Sequence, residues 1–186
     1  MIKAIAAAAL TGLLLVTVSA CGSQTAAQSR SGEPAVSQSA AARKTAKEGA
    51  SMQKTDAGKA TRIPMAGGTP VKIHFGDTVI HGVLNDSETA KALIRKLPYT
   101  VHMDRYSHDF CGVTEKLPYR EEEVHYGWLN GDIDYATDAP YFTILFKDED
   151  SSEQYGHQVN IGVMTSPIAD IDRLHGSYDV TIELDS

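Results

Sequence analysis

Histidine and carboxylate side chains are the residues of this chain that could hold a metal ion or move protons. His102, His108 and Asp109 form the densest group of metal-ligand types. Their spacing matches no zinc motif and His102 lies in an alternating segment, so surface or hydrogen-bonded histidines are the preferred interpretation. Residues 148–153 (DEDSSE) have the charge of a calcium loop without its glycine, which favours a solvated hairpin loop. We predict no metal site, and no nucleophile elbow, phosphate loop or dinucleotide fingerprint indicates a cofactor.

Cys21 is the side chain with the clearest predicted chemistry, because an export signal comes directly before it. Lys3 precedes an uncharged apolar stretch of 15 residues, 4–18. A transmembrane helix needs ~20 residues, so this stretch is too short to span a bilayer and suits a signal peptide. The tetrapeptide Val18-Ser19-Ala20-Cys21 resembles the bacterial lipobox, in which the cysteine thiol accepts a diacylglyceryl group. The sequence therefore predicts a lipoprotein signal peptide over residues 1–20 and an acylated Cys21.

The predicted lipid determines where we expect the protein. Two or three acyl chains, at ~0.8 kcal/mol for each buried methylene, anchor a protein stably. We therefore expect it in the cell membrane or cell envelope, lipid-anchored on the extracytoplasmic side. Gly22 follows the cysteine, so the aspartate that retains lipoproteins in an inner membrane is absent. Residues 21–68 lack aromatic side chains and a sustained apolar period, which predicts a lipidated cysteine followed by a flexible, disordered stalk.

The net charge of the chain also changes sign between the predicted stalk and the residues that follow it. Residues 69–186, predicted to be one folded domain, contain 9 basic and 21 acidic side chains, whereas residues 22–68 contain 7 basic and 3 acidic ones. An acidic domain repels a phosphate backbone, so we expect no nucleic acid partner. The basic stalk favours solubility, with attraction to anionic headgroups as the alternative. Cys111 has no second cysteine to pair with once Cys21 is acylated; it is predicted to be a small buried residue, with a reactive thiol as the alternative.

Alternating apolar residues in the domain predict eight short strands and two helices. Residues 71–75 and 78–84 alternate on either side of Gly76-Asp77, which predicts a hairpin. Helix signals run from the caps at residues 85–87 to Pro98, and from Pro167 to Gly176. Residues 107–120 are predicted to be irregular. The remaining strands are predicted at 99–106, 123–129, 132–135, 141–147, 158–164 and 178–184.

A sheet of this size commonly closes on itself, because closure removes its exposed edges. We therefore predict a mainly β fold, a closed eight-stranded barrel capped by two short helices. These elements, together with several short motifs, resemble the bacterial cyclophilin-like domain family over residues 71–184. The motifs are 109–112 (DFCG), 115–118 (EKLP), 131–135 (GDIDY), Pro140, 144–147 (ILFK) and 161–162 (IG).

The resemblance implies a cyclophilin-type barrel more securely than it implies an activity. Members of this family are often lipoproteins and are sometimes linked with flavodoxins, which implies a flavodoxin-type protein as one partner to test. True cyclophilins have a Phe-His-Arg motif and a Gln-Gly-Gly stretch, and this chain has neither. The departure favours a non-catalytic binding domain for an exported peptide or protein. The alternative is a divergent peptidyl-prolyl isomerase acting on exported proteins, in which Arg105 or Arg120 supplies the donor to the prolyl nitrogen.

No residue is assigned a catalytic role, and the binding groove is predicted around the irregular segment. Loops positioned by a rigid scaffold are frequent binding sites. The candidate groove residues are Arg105, Tyr106, Phe110, Tyr119 and Arg120.

Overall fold

Eight antiparallel strands close into a barrel in the computed structural model, which describes residues 43–53 and 58–186. In chain order the elements are β1 (Thr69–Phe75), β2 (Thr78–Leu84), α1 (Glu88–Ile94), β3 (Tyr99–Arg105), β4 (Asp109–Val113), β5 (Asp132–Ala136), β6 (Tyr141–Leu145), β7 (Gln158–Met164), α2 (Ile168–Asp172) and β8 (Ser177–Leu184). Around the barrel the strands follow the order β1-β2-β7-β5-β6-β4-β3-β8. The predicted fold class is therefore confirmed.

The first hairpin shows how the alternating pattern builds the barrel wall. β1 and β2 pair along their whole length, and Gly76 in the turn has a φ of 58°. Glycine adopts this left-handed conformation without the steric cost of a Cβ atom. Val71, Ile73 and Phe75 point inward and are at most 1% exposed. Because successive strand side chains point to opposite faces, the residues between them form the outer wall.

The two helices cover the open ends of the barrel. α1 connects β2 to β3, and the Ser87 hydroxyl caps it by accepting the Ala90 N–H at 3.1 Å. Leu93 of α1 and Ile171 of α2 both belong to the core and are at most 1% exposed. α2 connects β7 to β8 at the opposite end. We call the two ends of the barrel the α1 end and the α2 end.

Two local predictions were wrong. Residues 107–120, predicted to be irregular, contain β4, which pairs with β3 and β6. Gly112 was interpreted as an interruption, but a Cβ atom there would lie 2.2 Å from the His102 carbonyl oxygen, so the glycine permits close packing within the sheet. Residues 123–129, predicted to be a strand, contain instead the end of a 3-10 turn and only isolated β-bridges at His125 and Tyr126. Gly127, with a φ of 72°, breaks the extended conformation there.

The last part of the predicted stalk packs against the barrel, although the sequence predicted a flexible segment there. Residues 43–53 and 58–68, which we call the strap, pack against the outside of the barrel. The Ala46 N–H donates to the Tyr126 carbonyl at 2.9 Å, and the Thr61 N–H donates to the Asn130 carbonyl at 2.7 Å. Ala46 and Thr61 are 5% and 6% exposed. The prediction of a flexible stalk is therefore corrected for the strap, whose small residues bury too little area to show in an apolar pattern.

The predicted export signal and lipidation site lie in another part of the chain. Residues 1–42, which include the predicted signal peptide, Cys21 and the start of the stalk, are outside the described residues. Within residues 43–53 and 58–186, no helix combines the length and the apolar character needed to cross a membrane.

Candidate functional site

A cleft of about 1060 Å³ lies between the strap, α1 and the outer wall formed by β2 and β7. Ligand sites in proteins typically measure ~300–1000 Å³, so the volume of this cleft is slightly above that range. We call it the strap cleft. The strap contributes Ile63 and Met65, and α1 contributes Lys91 and its C-cap, Arg95. Val83 of β2 is part of the opposite side.

An ion pair fastens the strap beside this cleft. Arg62 donates from Nε to Asp132 Oδ1 at 2.7 Å and from Nη2 to Asp132 Oδ2 at 2.8 Å. The same Nη2 donates to the Ala46 carbonyl at 3.2 Å, which ties the two halves of the strap together. The side chain of Asp132 is 0% exposed and that of Arg62 is 15% exposed. A bidentate pair in this setting gives the strap one specific position.

Burial dominates the electrostatics of the two aspartates on β5. It raises the pKa of Asp132 to about 6, against the opposing effect of Arg62. It also raises the pKa of Asp134 to about 6. Asp134 Oδ1 accepts a hydrogen bond from Asn160 Nδ2 at 2.9 Å, whereas Oδ2 has no partner among the described residues. Both carboxyl groups therefore titrate well above the usual range for aspartate.

His125 lines the strap cleft as a neutral imidazole. Burial lowers its pKa to about 4, so the ring is uncharged at neutral pH. Nδ1 lies 3.1 Å from the Gly127 carbonyl, which can only accept, so Nδ1 carries the proton and Nε2 carries a lone pair. Within the part of the chain that the structure describes, this Nε2 has no hydrogen-bond partner. His125 therefore presents an unused acceptor beside the cleft.

Cations border the cleft on the α1 side. Lys91 and Arg95 are exposed, one helical turn apart, and both line the cleft. Arg120 lines it too, but its Nη2 lies 2.9 Å from Glu123 Oε1, and this contact raises the pKa of Arg120 further. Glu123 also lines the cleft, and its second oxygen, Oε2, has no partner within the described ranges.

Burial keeps the two aspartates of β5 and the thiol of Cys111 out of the cleft. Asp132 and Asp134 are 0% exposed, and a general base must come within about 3 Å of the proton that it removes. Cys111 does not line the cleft, and burial raises its pKa to about 12, which leaves almost no thiolate. Cys111, predicted to be a small buried residue, is only partly buried.

The predicted groove residues are divided between the two ends of the barrel. Arg105 lies at the α2 end, where its Nη2 pairs with Asp172 at 2.9 Å and its guanidinium lies over the Phe110 ring at 5.7 Å. Phe110 itself is 0% exposed and belongs to the core, while Tyr106 is 56% exposed. None of these three lines the strap cleft.

The other two predicted residues lie at the α1 end. The Tyr119 ring packs on the core with its centroid 6.5 Å from that of Tyr135. Arg120 is the one predicted groove residue that lines the strap cleft. β4 separates the two groups, since a five-residue strand spans roughly 17 Å.

The side chains first considered as metal ligands have other partners. His102 Nδ1 lies 2.8 Å from Asp179 Oδ1, a contact that raises the pKa of His102, and the His108 ring stacks on Trp128 at 4.9 Å. Glu149, in the loop compared with a calcium site, is 7% exposed and accepts the Asn130 N–H at 2.7 Å. That loop is therefore anchored to the barrel and not simply solvated. In the described portion, no three His, Cys, Asp or Glu side chains are grouped as metal ligands.

The sequence contained a signal for part of this site. Lys91 and Arg95 are four residues apart in a predicted helix, which places them on one face opposite the buried Ala90 and Leu93. Arg62 and His125 had no such signal. Their roles depend on the strap, which the sequence patterns did not separate from the stalk.

Fold and cleft together define a class: a small closed β-barrel domain with a ligand-sized cleft on its outer wall. The Cyclophilin-like family model matches residues 73–183, so the chain belongs to the cyclophilin-like family and the resemblance drawn from the motifs is confirmed. The solution structure of the hypothetical protein AF2241 from Archaeoglobus fulgidus is similar, with a TM-score of 0.52 and 17% identity, covering 62% of this chain and 94% of that chain. At this identity the similarity shows the fold alone. No curated protein matches the sequence.

Proposed function

We propose that this protein is an extracytoplasmic lipoprotein, anchored in the cell membrane or envelope by an acylated Cys21, whose cyclophilin-like domain binds a partner without catalysis. The sequence of residues 1–20 and the lipobox ending at Cys21 support the anchor. The strap cleft is the observation that carries the binding role. The proposed partner is an exported peptide or protein.

The inaccessible acid–base groups support a non-catalytic role. Asp132 is covered by Arg62, and the neutral His125 is 5% exposed. A catalytic acid or base must reach the reacting atoms, and these groups lie beneath the surface of the cleft. The polar and apolar side chains that do face the cleft are suited to holding a ligand.

Photocrosslinking in cells tests the binding role in the anchored protein. A photoreactive amino acid is placed at Ile63 or Met65, which line the cleft and are 46% and 42% exposed. Val79 and Val113, which are 37% and 66% exposed and do not line the cleft, are the control positions. We expect discrete adducts from the two cleft positions alone. Adducts of equal yield from all four positions, or none from the cleft, would contradict the proposal.

Mass spectrometry of the adducts then identifies the class of partner. An exported peptide or protein is the expected product, and a flavodoxin-type protein is the alternative that the family association suggests. Absence of flavoproteins from the adducts would remove that alternative.

Metabolic labelling tests the anchor separately. Cells fed radioactive palmitate should label the protein, and Cys21→Ser should abolish both the label and the membrane association. Cys111→Ser is the matched control and should keep both. Equal membrane association of the Cys21→Ser protein would overturn the lipoprotein proposal.

Prolyl isomerisation is the alternative activity. Arg105 is held by Asp172 and is 15% exposed at its side chain, whereas Arg120 is 58% exposed and lines the cleft. In a protease-coupled assay with a proline peptide, we expect no rate above the blank. A clear rate that is lost in Arg120→Ala would establish the isomerase and defeat the non-catalytic proposal.

A further inference from the structure

Two unpaired cations on α1 give the strap cleft a local charge opposite to that of the domain. Lys91 and Arg95 are exposed, line the cleft and make no ion pair with any described residue. Some other exposed cations do find partners: Arg173 lies 3.0 Å from Asp170, and Lys96 lies 2.8 Å from Glu115. In a domain with 21 acidic and 9 basic side chains, this pair is complementary to an anionic group.

The strap provides an apolar surface in the same cleft. Ile63 and Met65 are 46% and 42% exposed, and both line the cleft. Exposed apolar side chains that lie together beside a cavity are typical of binding surfaces. The cleft therefore combines cations from α1 with aliphatic side chains from the strap.

The barrel side of the cleft carries two hydrogen-bond acceptor atoms that no described residue donates to. His125 Nε2 and Glu123 Oε2 are buried atoms of cleft-lining residues, and neither has a hydrogen-bond partner among the described residues. A buried acceptor without a donor is costly, so a side-chain movement that brings either acceptor to a ligand N–H group is favoured. This observation is independent of the charge on α1.

We infer that the strap cleft binds an extended peptide segment whose carboxylate contacts Lys91 and Arg95 and whose apolar side chains contact Ile63 and Met65. The inference rests on the proposed binding function and specifies its ligand. An extended segment presents carboxylates, apolar groups and main-chain N–H donors at intervals, which matches the three kinds of surface in the cleft.

A single acidic segment fits this cleft better than an anionic membrane surface. Asp86 and Glu88 also line the cleft, beside the N-terminus of α1, whereas Lys91 lies in its second half and Arg95 is its C-cap. A bilayer presents a plane of like charges that would meet the acidic and basic ends of α1 together. One carboxylate can contact the basic end alone.

Fluorescence anisotropy with the full mature chain in detergent tests the inference. The probe is a labelled ten-residue peptide with three glutamates at one end and leucine, valine and glycine elsewhere. Two matched probes carry glutamine or lysine in place of glutamate, and vesicles with 30% anionic lipid form a fourth arm. We expect about tenfold weaker binding of the glutamine probe at 50 mM salt, weaker still for the lysine probe, and a smaller difference at 300 mM salt.

The variants test the position of the carboxylate. Lys91→Ser with Arg95→Ser should weaken binding of the glutamate probe about tenfold and leave the glutamine probe unchanged. Lys116→Ser with Arg173→Ser makes the same charge change at exposed positions outside the cleft and should have little effect. Both pairs are exposed, so folding is expected to be retained.

Each result separates the inference from the proposed function. Equal binding of the three probes, or equal losses in the two double variants, overturns the acidic-peptide inference and leaves the binding function standing. Binding of none of the probes, combined with adducts in the crosslinking experiment, overturns the inference alone. Preference for anionic vesicles over the glutamate probe would replace the peptide with a lipid surface.

Discussion

Replacing Arg62 with alanine is expected to destabilise the protein strongly at pH 8 and much less at pH 5. The substitution removes both hydrogen bonds from Arg62 to Asp132 and leaves a carboxylate that is 0% exposed. The remaining donor is the Leu129 N–H, at 2.9 Å from Asp132 Oδ2. Breaking a buried ion pair by removing one partner typically costs about 3–5 kcal/mol.

The pH dependence follows from the protonation of Asp132. Its pKa in the folded protein is raised to about 6 from 3.8, so the ionised form destabilises the native state above pH 6. Arg62 offsets part of that cost only where the carboxyl group is ionised. At pH 5 the carboxyl group is mostly protonated in both proteins, so we expect a loss of about 1–2 kcal/mol, that of neutral hydrogen bonds.

Urea unfolding followed by fluorescence of Trp128, the single tryptophan, measures both values. Arg120→Ala is the control, since its side chain is 58% exposed and such a pair contributes about 0–1 kcal/mol. Limited trypsin digestion should also cut the Arg62→Ala protein faster at Lys44 and Lys47, because the strap is released. A loss below 1 kcal/mol at pH 8, or the same loss at both pH values, would refute the role of the ion pair.

Three further predictions concern other buried groups. Asp134→Asn should raise the free energy of unfolding by about 1–3 kcal/mol at pH 8, because ionised Asp134 is buried with a folded pKa of about 6. That gain should shrink as the pH falls below 6 and be lost near the ordinary aspartate pKa of 3.8; a pH-independent difference in urea titrations would be inconsistent with it. The pKa of Cys111 is raised to about 12, so little reactive thiolate is present in the native protein. Cys111 should therefore react with iodoacetamide at pH 8 roughly a thousandfold more slowly in the native protein than in urea, and similar rates would contradict the pKa shift. Gly112→Ala should lower the free energy of unfolding by about 3 kcal/mol or more, since its Cβ atom would lie 2.2 Å from the His102 carbonyl oxygen. Cys111→Ala is the neighbouring control, and equal unfolding midpoints for both variants would count against close packing of β3 and β4.

The predicted groove shows how a stretch of sequence can be divided by the fold. Arg105 and Arg120 are separated by only a short segment, which suggested one irregular loop. The segment contains β4, whose Phe110 side chain is 0% exposed in the core, so the chain crosses the barrel from the α2 end to the α1 end. Neighbouring residues in sequence therefore lie at opposite ends of the molecule.

Local patterns determined most of the elements. The alternation through β1 and β2, the Ser87 cap of α1 and the apolar residues of β8 depend on interactions over a few residues, which a sequence displays directly. Those patterns were sufficient for the closed barrel and the family. The sequence that resembles a lipobox at Cys21 is likewise a local signal.

Tertiary structure decided the strap, the buried carboxylates and the cleft. Asp132 and Asp134 alternate with core residues as outward-facing polar side chains do. No property of their own segment shows that Arg62 of the strap will cover Asp132 or that Asn160 will pair with Asp134. Burial and charge pairing depend on which distant segments meet, because desolvation is a property of the whole surrounding surface and not of neighbours in the chain. The sequence therefore determined the barrel, and only the packing of the strap onto it determined the site.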